Sequence, residues 1–181
     1  MILGGSVTAR YYGPKLPEIF AEEPVTRTLW RMADKGGDRL HDYIVAFTPI
    51  RTGNLATSWY REPTRRELHG TSPAYVAPVA TDVDYAPYVN YGTGLWGPEH
   101  RKYLIEPHPP NKFLSWLDPL TGRRVYARRV WHPGSEGHHM VEKAGSVVHA
   151  TLNETMLPEL EAYKREAEAA ALESMRGLVI R

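Results

Sequence analysis

The chain has 181 residues, 42% hydrophobic and 24% charged, which sets one domain, or one domain with a helical arm, large enough to bury a core and excludes a wholly disordered chain. It contains no cysteine, which excludes disulfide scaffolds, thiol catalysis and cysteine-ligated zinc. Its 22 basic and 21 acidic side chains leave a net charge of +1, far from the excess of a bulk DNA binder, and no apolar run reaches the roughly 18 residues of a membrane span.

Residues 1–23 hold Gly4, Gly5, Gly13, Pro14 and Pro17 without sustained periodicity and read as an arm that orders on a partner; the opening has no secretory signal. Pro24 opens a helix whose stripe is Val25, Leu29, Met32, Ala33, Leu40, Ile44 and Phe47. Gly36 and Gly37 predict a break or kink in its middle, and Thr48-Pro49 ends it. Ala56–Arg61 and Tyr75–Asp82, rich in aromatic or β-branched residues, read as strands. Pro87 begins one helical turn bearing Tyr85, Tyr88 and Tyr91, and Gly92, Gly94, Gly97 and Pro98 make a loop. Lys102–Ile105 reads as a further strand, followed by the link Pro107–Pro110.

A hairpin is the clearest local signal. Lys112–Leu117 and Arg124–Trp131 flank Asp118-Pro119-Leu120-Thr121-Gly122, whose proline and glycine supply turn chemistry. The helical period returns after Gly137 in Met140, Ala144, Val147, Val148 and Leu152; Pro158 predicts a kink or restart before the helix Leu160–Met175. The plan is α+β: a small antiparallel sheet between an N-terminal amphipathic helix and a C-terminal helix. In domain terms it is an arm over 1–23, an α+β domain over 24–157 with an inserted loop near 94–111, and a helical extension over 158–181.

Charge is uneven along the chain. Arg101–Arg129 carries seven basic residues against Glu106 and Asp118, whereas Glu154–Glu173 carries six acids against Lys164 and Arg165. Alternation puts Arg124 and Arg128 on one strand face and Arg123 and Arg129 on the other, which splits a flat nucleic-acid surface and favours ion pairs between subunits. His132, His138, His139, His100 and His108 invite a metal reading, but no H-E-x-x-H spacing occurs, and the adjacent His138 and His139 diverge on a helix. Neither G-x-S-x-G, a P-loop nor G-x-G-x-x-G is present. The expectation is therefore no enzyme, no metal and no cofactor, with a histidine metalloenzyme and a free DNA-binding module as the rivals.

Three segments occur in a telling order: Thr48-Pro49-Ile50-Arg51-Thr52-Gly53-Asn54-Leu55-Ala56-Thr57-Ser58, then Asp84–Thr93, then Ala127–Gly134 with Val130-Trp131-His132-Pro133-Gly134. Together they resemble the tail-completion, or head–tail joining, proteins of long-tailed double-stranded DNA phages, the gene-ten-like minor tail components. That family carries T-P-x-x-T-G-x-L-x-x-S, Y-A-x-Y-V-E-Y-G-T and V-x-H-P-G blocks; here Asn90 replaces the Glu, and His138–Ala144 replaces a following P-F-L-x-x-A. The resemblance implies a virion protein at the head–tail junction, assembled in the host cytoplasm. It further implies a six-fold homo-oligomeric ring that meets other neck proteins, with non-sequence-specific contact to duplex DNA in its channel and no membrane partner. A tail terminator or a head-closure stopper is the alternative within the same connector. Assembly contacts are expected from Tyr85, Tyr88, Tyr91, Arg123, Arg124, Arg128 and Arg129. Shaping roles fall to Thr48, Pro49, Thr52, Gly53, Gly92, Thr93, His132, Pro133 and Gly134.

Overall fold

The apolar stripe from Val25 to Phe47 lies on one unbroken helix, α1 (Glu22–Phe47), with Met32, Ala33, Leu40 and Ile44 buried. The computed structural model describes residues 3–10, 22–69 and 72–178. The expected break at Gly36-Gly37 does not occur, for a steric reason. A methyl group on Gly37 would stand 2.6 Å from Ala77 Cβ and 2.8 Å from Arg61 Nη1, so the missing side chain lets the helix touch the sheet. The described residues form two compact units, one made by those before Asp84 together with those from Met140 on, the other by Asp84–His139.

In the first unit the central strand is β4 (Ser72–Thr81). Ala74, Tyr75, Val76, Ala77, Val79, Ala80 and Thr81 are all buried, so both faces of this strand are covered and no alternation is visible in its sequence. β1 (Leu3–Arg10) pairs antiparallel along its length, from Leu3 opposite Thr81 to Arg10 opposite Ala74. This corrects the reading of 1–23 as an arm awaiting a partner: a strand forms there on β4, while residues 11–21 lie outside those described.

The other edge of β4 holds β2 (Tyr60–Arg61) and β3 (Arg65–His69). Arg61 faces Val79 and Arg65 faces Val76, so three residues, Glu62–Thr64, oppose only Ala77 and Pro78. That is one edge strand interrupted by a bulge, placed at Pro63, which has no N–H to give the ladder. The strand expected over Ala56–Arg61 forms only at its end, Tyr60–Arg61, after a short helix and a turn. α2 (Asn54–Thr57) takes its first two residues because Thr57 Oγ1 donates to Gly53 O at 3.1 Å and Ser58 Oγ to Leu55 O at 2.8 Å, local bonds that close a turn.

The C-terminal segment forms α4 (Met140–Ala150) and α5 (Leu152–Leu178). The interruption falls at Thr151, not at Pro158: Thr151 N donates to Val147 O at 3.0 Å and Glu154 N to Thr151 O at 3.1 Å. Pro158 is carried inside α5 because the turns around it are held on α1. Met156 packs against the Met32, Ala33 and Tyr75 cluster, Lys35 pairs with the buried Glu159, and Arg39 lies 3.6 Å from Glu154.

The second unit has α3 (Ala86–Tyr91) and two small antiparallel pairs: β5 (Tyr103–Ile105) with β8 (Val130–His132), and β6 (Leu114–Leu117) with β7 (Arg124–Ala127). The hairpin is where expected, but its second arm is divided. β7 ends at Ala127, Arg128 and Arg129 form a bend, and Val130–His132 joins β5 rather than β6. The architecture is α+β: helices and small antiparallel sheets, with α1 near the start of the chain and α4 and α5 at its end.

Candidate assembly surface

The three sequence blocks do two different jobs. The first ties elements of the first unit. Thr48 Oγ1 donates to Ile44 O at 2.6 Å, accepts the indole N–H of Trp59 at 3.0 Å and lies 3.4 Å from Met140 Sδ. Thr48 therefore closes α1, holds the entry to β2 and touches the start of α4 with one buried hydroxyl. Pro49 is half-buried, Thr52 is exposed, and Gly53, at φ +84°, starts α2 in a left-handed conformation that only glycine adopts freely. Ser58 Oγ and Thr81 Oγ1, 2.7 Å apart, join this block to the end of β4.

The second and third blocks meet each other. Thr93 N donates to Ser135 O at 2.9 Å, Leu95 N to Pro133 O at 2.7 Å, and Ser135 N to Thr93 Oγ1 at 3.0 Å. Two further bonds, His138 N to Val89 O and His139 N to Asn90 O, both 2.9 Å, extend the ladder. Such close approach demands bare backbone. A Cβ on Gly134 would fall 1.9 Å from Thr93 O, and one on Gly94 2.2 Å from Pro133 O. Gly92, Gly94 and Gly134 have φ of +82°, +63° and +100°. Pro133-Gly134 thus turns the chain against the Gly92–Gly94 loop, and His132 Nδ1 accepts Gly134 N–H at 2.9 Å to set that turn. Sequence alone shows both blocks but not that they form one clasp.

Around the clasp the aromatic residues face outward. Tyr85, which caps α3, and Tyr88 and Tyr91 on it are 42, 62 and 38% exposed, while Ala86 and Asn90 form the buried side of the helix. Arg123, Arg124, Arg128 and Arg129 are all exposed. Arg124 Nη1 donates to Ser115 Oγ at 3.2 Å, and the Arg128 guanidinium stands 5.8 Å above the Phe113 ring. Only Arg124 lies on a strand, β7; Arg123 precedes that strand and Arg128 and Arg129 follow it in the bend, so the four do not alternate along one strand.

The hairpin turn is tied by hydrogen bonds to the Asp118 side chain. The Leu120 N–H and the Thr121 hydroxyl both donate to the Asp118 carboxylate and hold it below its ordinary pKa. Sequence reading missed a buried-side counterpart. Arg61 reaches Asp34 and Asp38 on α1 while Thr64 donates to Asp34 at 2.6 Å. Burial alone would raise Asp34, but the Thr64 and Arg61 hydrogen bonds and the Arg61 charge outweigh it and hold the carboxyl below its usual range. No local pattern announces this cluster; its members are linked only by the sheet.

Among the described residues no three His, Asp or Glu side chains are grouped to hold a metal ion, and no helix is long and apolar enough to cross a membrane. His132 is engaged by Gly134 N–H and by the Tyr103 ring, 5.4 Å away.

No curated protein and no solved structure matches the chain. Residues 16–92 match the family described as Bacteriophage HK97-gp10, putative tail-component. The match covers α1, the β2–β4 sheet and α3, and so includes the first block and the second up to Gly92; the third lies beyond it. Over residues 16–92, somewhat under half of its length, the chain is thus similar to a family of phage tail components.

Proposed function

We propose that the protein is a structural subunit of the phage neck, joining the DNA-filled head to the tail as a homo-oligomeric ring of six-fold symmetry at the head–tail junction. The observation that carries this reading is the family match itself, which ends within the motif whose rings are exposed rather than buried. A closed ring needs two different complementary patches per subunit. The exposed tyrosines of α3 and the arginine-bearing hairpin supply aromatic and cationic surface, and α5 supplies acidic surface. Its neighbours along the axis are other neck proteins. Arginines facing a channel contact phosphates without reading sequence.

Gold-labelled antibody against the protein on intact phage particles tests this by negative-stain electron microscopy. Label is expected at the head–tail junction, and on the head-proximal end of tails separated from heads. Unlabelled particles beside abundant protein in the lysate overturn the proposal.

A further inference from the structure

The chain carries two exposed apolar strips of opposite charge on separate elements. The first is one face of the β6–β7 hairpin. Register places Ser115 opposite Tyr126 and Leu117 opposite Arg124, so Leu117, Arg124 and Tyr126 point to the same side. Leu117 is 60% and Tyr126 65% exposed, and Leu120 in the turn is 94% exposed. From Lys112 to Arg129 five cations stand against the single carboxylate of Asp118. The opposite hairpin face, with Leu114, Val125 and Ala127, is half-buried, so the exposed face is the one left over after the unit has folded.

The second strip is on α5. Thr155 and Glu159 are buried, but from Leu160 to Glu173 no side chain is. Leu160, Tyr163, Ala167 and Ala171 recur at three and four and line one apolar strip, flanked by Glu161 and Glu168. Lys164 is its only cation and already lies 3.9 Å from Glu168. A projecting helix with this stripe gains little from solvent exposure, since isolated helices draw their stability from packing.

We propose that the two strips are partners across subunits: the exposed face of the β6–β7 hairpin of one copy seats on the Leu160–Ala171 strip of α5 in the next. Leu117, Leu120 and Tyr126 meet the apolar positions, and Arg124 and Arg128 meet Glu161 and Glu168. The contact is heterologous, because two different patches are used, and so it propagates into a ring or a filament rather than stopping at a dimer. Charge chooses this occupant over a second α5: two α5 strips would bring like carboxylates together. The leucines choose protein over DNA, because nothing in a phosphate backbone rewards burying Leu117 and Leu120. This inference rests on the ring reading above and names the surfaces that build it.

A chain without cysteine makes the test clean. Tyr126→Cys and Ala167→Cys are made singly and together in the full chain and treated with a short bismaleimide. Neither single variant cross-links alone, their mixture gives dimers, and the double variant gives a ladder of oligomers. Adding Arg124→Glu and Arg128→Glu lowers the ladder about tenfold, and Glu161→Arg with Glu168→Arg in the same chain restores it, because like charges facing across an interface are strongly disfavoured. Dimers from Ala167→Cys alone, a link confined within one chain, or no link at all each overturn the pairing. So does hairpin-dependent binding of duplex DNA in place of a ladder. Junction label without a ladder removes this inference and leaves the neck reading standing; a ladder with unlabelled particles does the reverse.

Discussion

Gly134 shows how one missing side chain holds two motifs together. Its φ is +100°, and a Cβ would sit 1.9 Å from Thr93 O, so both conformation and space demand glycine. Gly53 also has positive φ, at +84°, but nothing lies within 4 Å of where its Cβ would be. The two sites therefore separate conformational cost from collision. Gly53→Ala is expected to lower stability by about 1 kcal/mol, the left-handed penalty alone. Gly134→Ala should cost about 3 kcal/mol or more, because backbone must move as well. Urea unfolding of the two variants measures both; equal losses would mean the clasp yields without resistance.

The elements show where local preference is overruled by packing. Helix α1 tolerates a glycine pair that weakens it by about 1 kcal/mol per residue, because the sheet needs the room. Gly37→Ala is expected to destabilise the protein despite its better helix propensity, since its methyl would meet Ala77 Cβ at 2.6 Å. Gly145, inside α4, has nothing within 4 Å of its Cβ position, so Gly145→Ala should stabilise by about 0.5–1 kcal/mol. Thermal melting of the pair checks the contrast in sign. The interruption at Thr151 rather than Pro158 follows the same rule: contacts with α1 hold both turns around the proline, and the helix gives way instead where Thr151 can cap it.

At the scale of the whole molecule, folding is linked to pH through the cluster that joins α1 to the sheet. Hydrogen bonds from Thr64 and Arg61 and the Arg61 charge outweigh burial and hold the Asp34 carboxyl below the ordinary carboxylate range, so the native state favours the ionised form. A depressed carboxylate adds stability that is complete above its unfolded pKa and is lost as pH falls through the folded one. Denaturant unfolding should therefore show wild type losing more stability than Asp34→Asn between about pH 5 and pH 2, the range in which such a carboxylate titrates. Parallel losses would show that Asp34 does not titrate differently in the folded state. The same molecule keeps its surplus charge on two separate elements, cationic on the β6–β7 hairpin and anionic on α5, which is the distribution a repeating assembly uses.

What the amino-acid sequence determined by itself is whatever depends on neighbours along the chain. The three-and-four spacing from Val25 to Phe47 announced α1, Asp118 to Gly122 announced the hairpin turn, and the blocks from Thr48 and Asp84 pointed to the phage tail-component family that residues 16–92 match. The tertiary structure alone decided whatever depends on partners distant in sequence. β1 exists because β4 offers an edge to Leu3–Arg10, and β3 because the same strand accepts the polar run Arg65–His69. Val130–His132 leaves the hairpin because β5 pairs with it. The tyrosines of α3 face outward because Ala86 and Asn90 take its buried side. Gly94 and Gly134 look like two ordinary turn residues until the fold brings their backbones against each other. The physical reason is common to all of these: hydrogen-bond ladders, burial and close backbone contact are satisfied in space, and a local pattern records only the part of that satisfaction that recurs at short range.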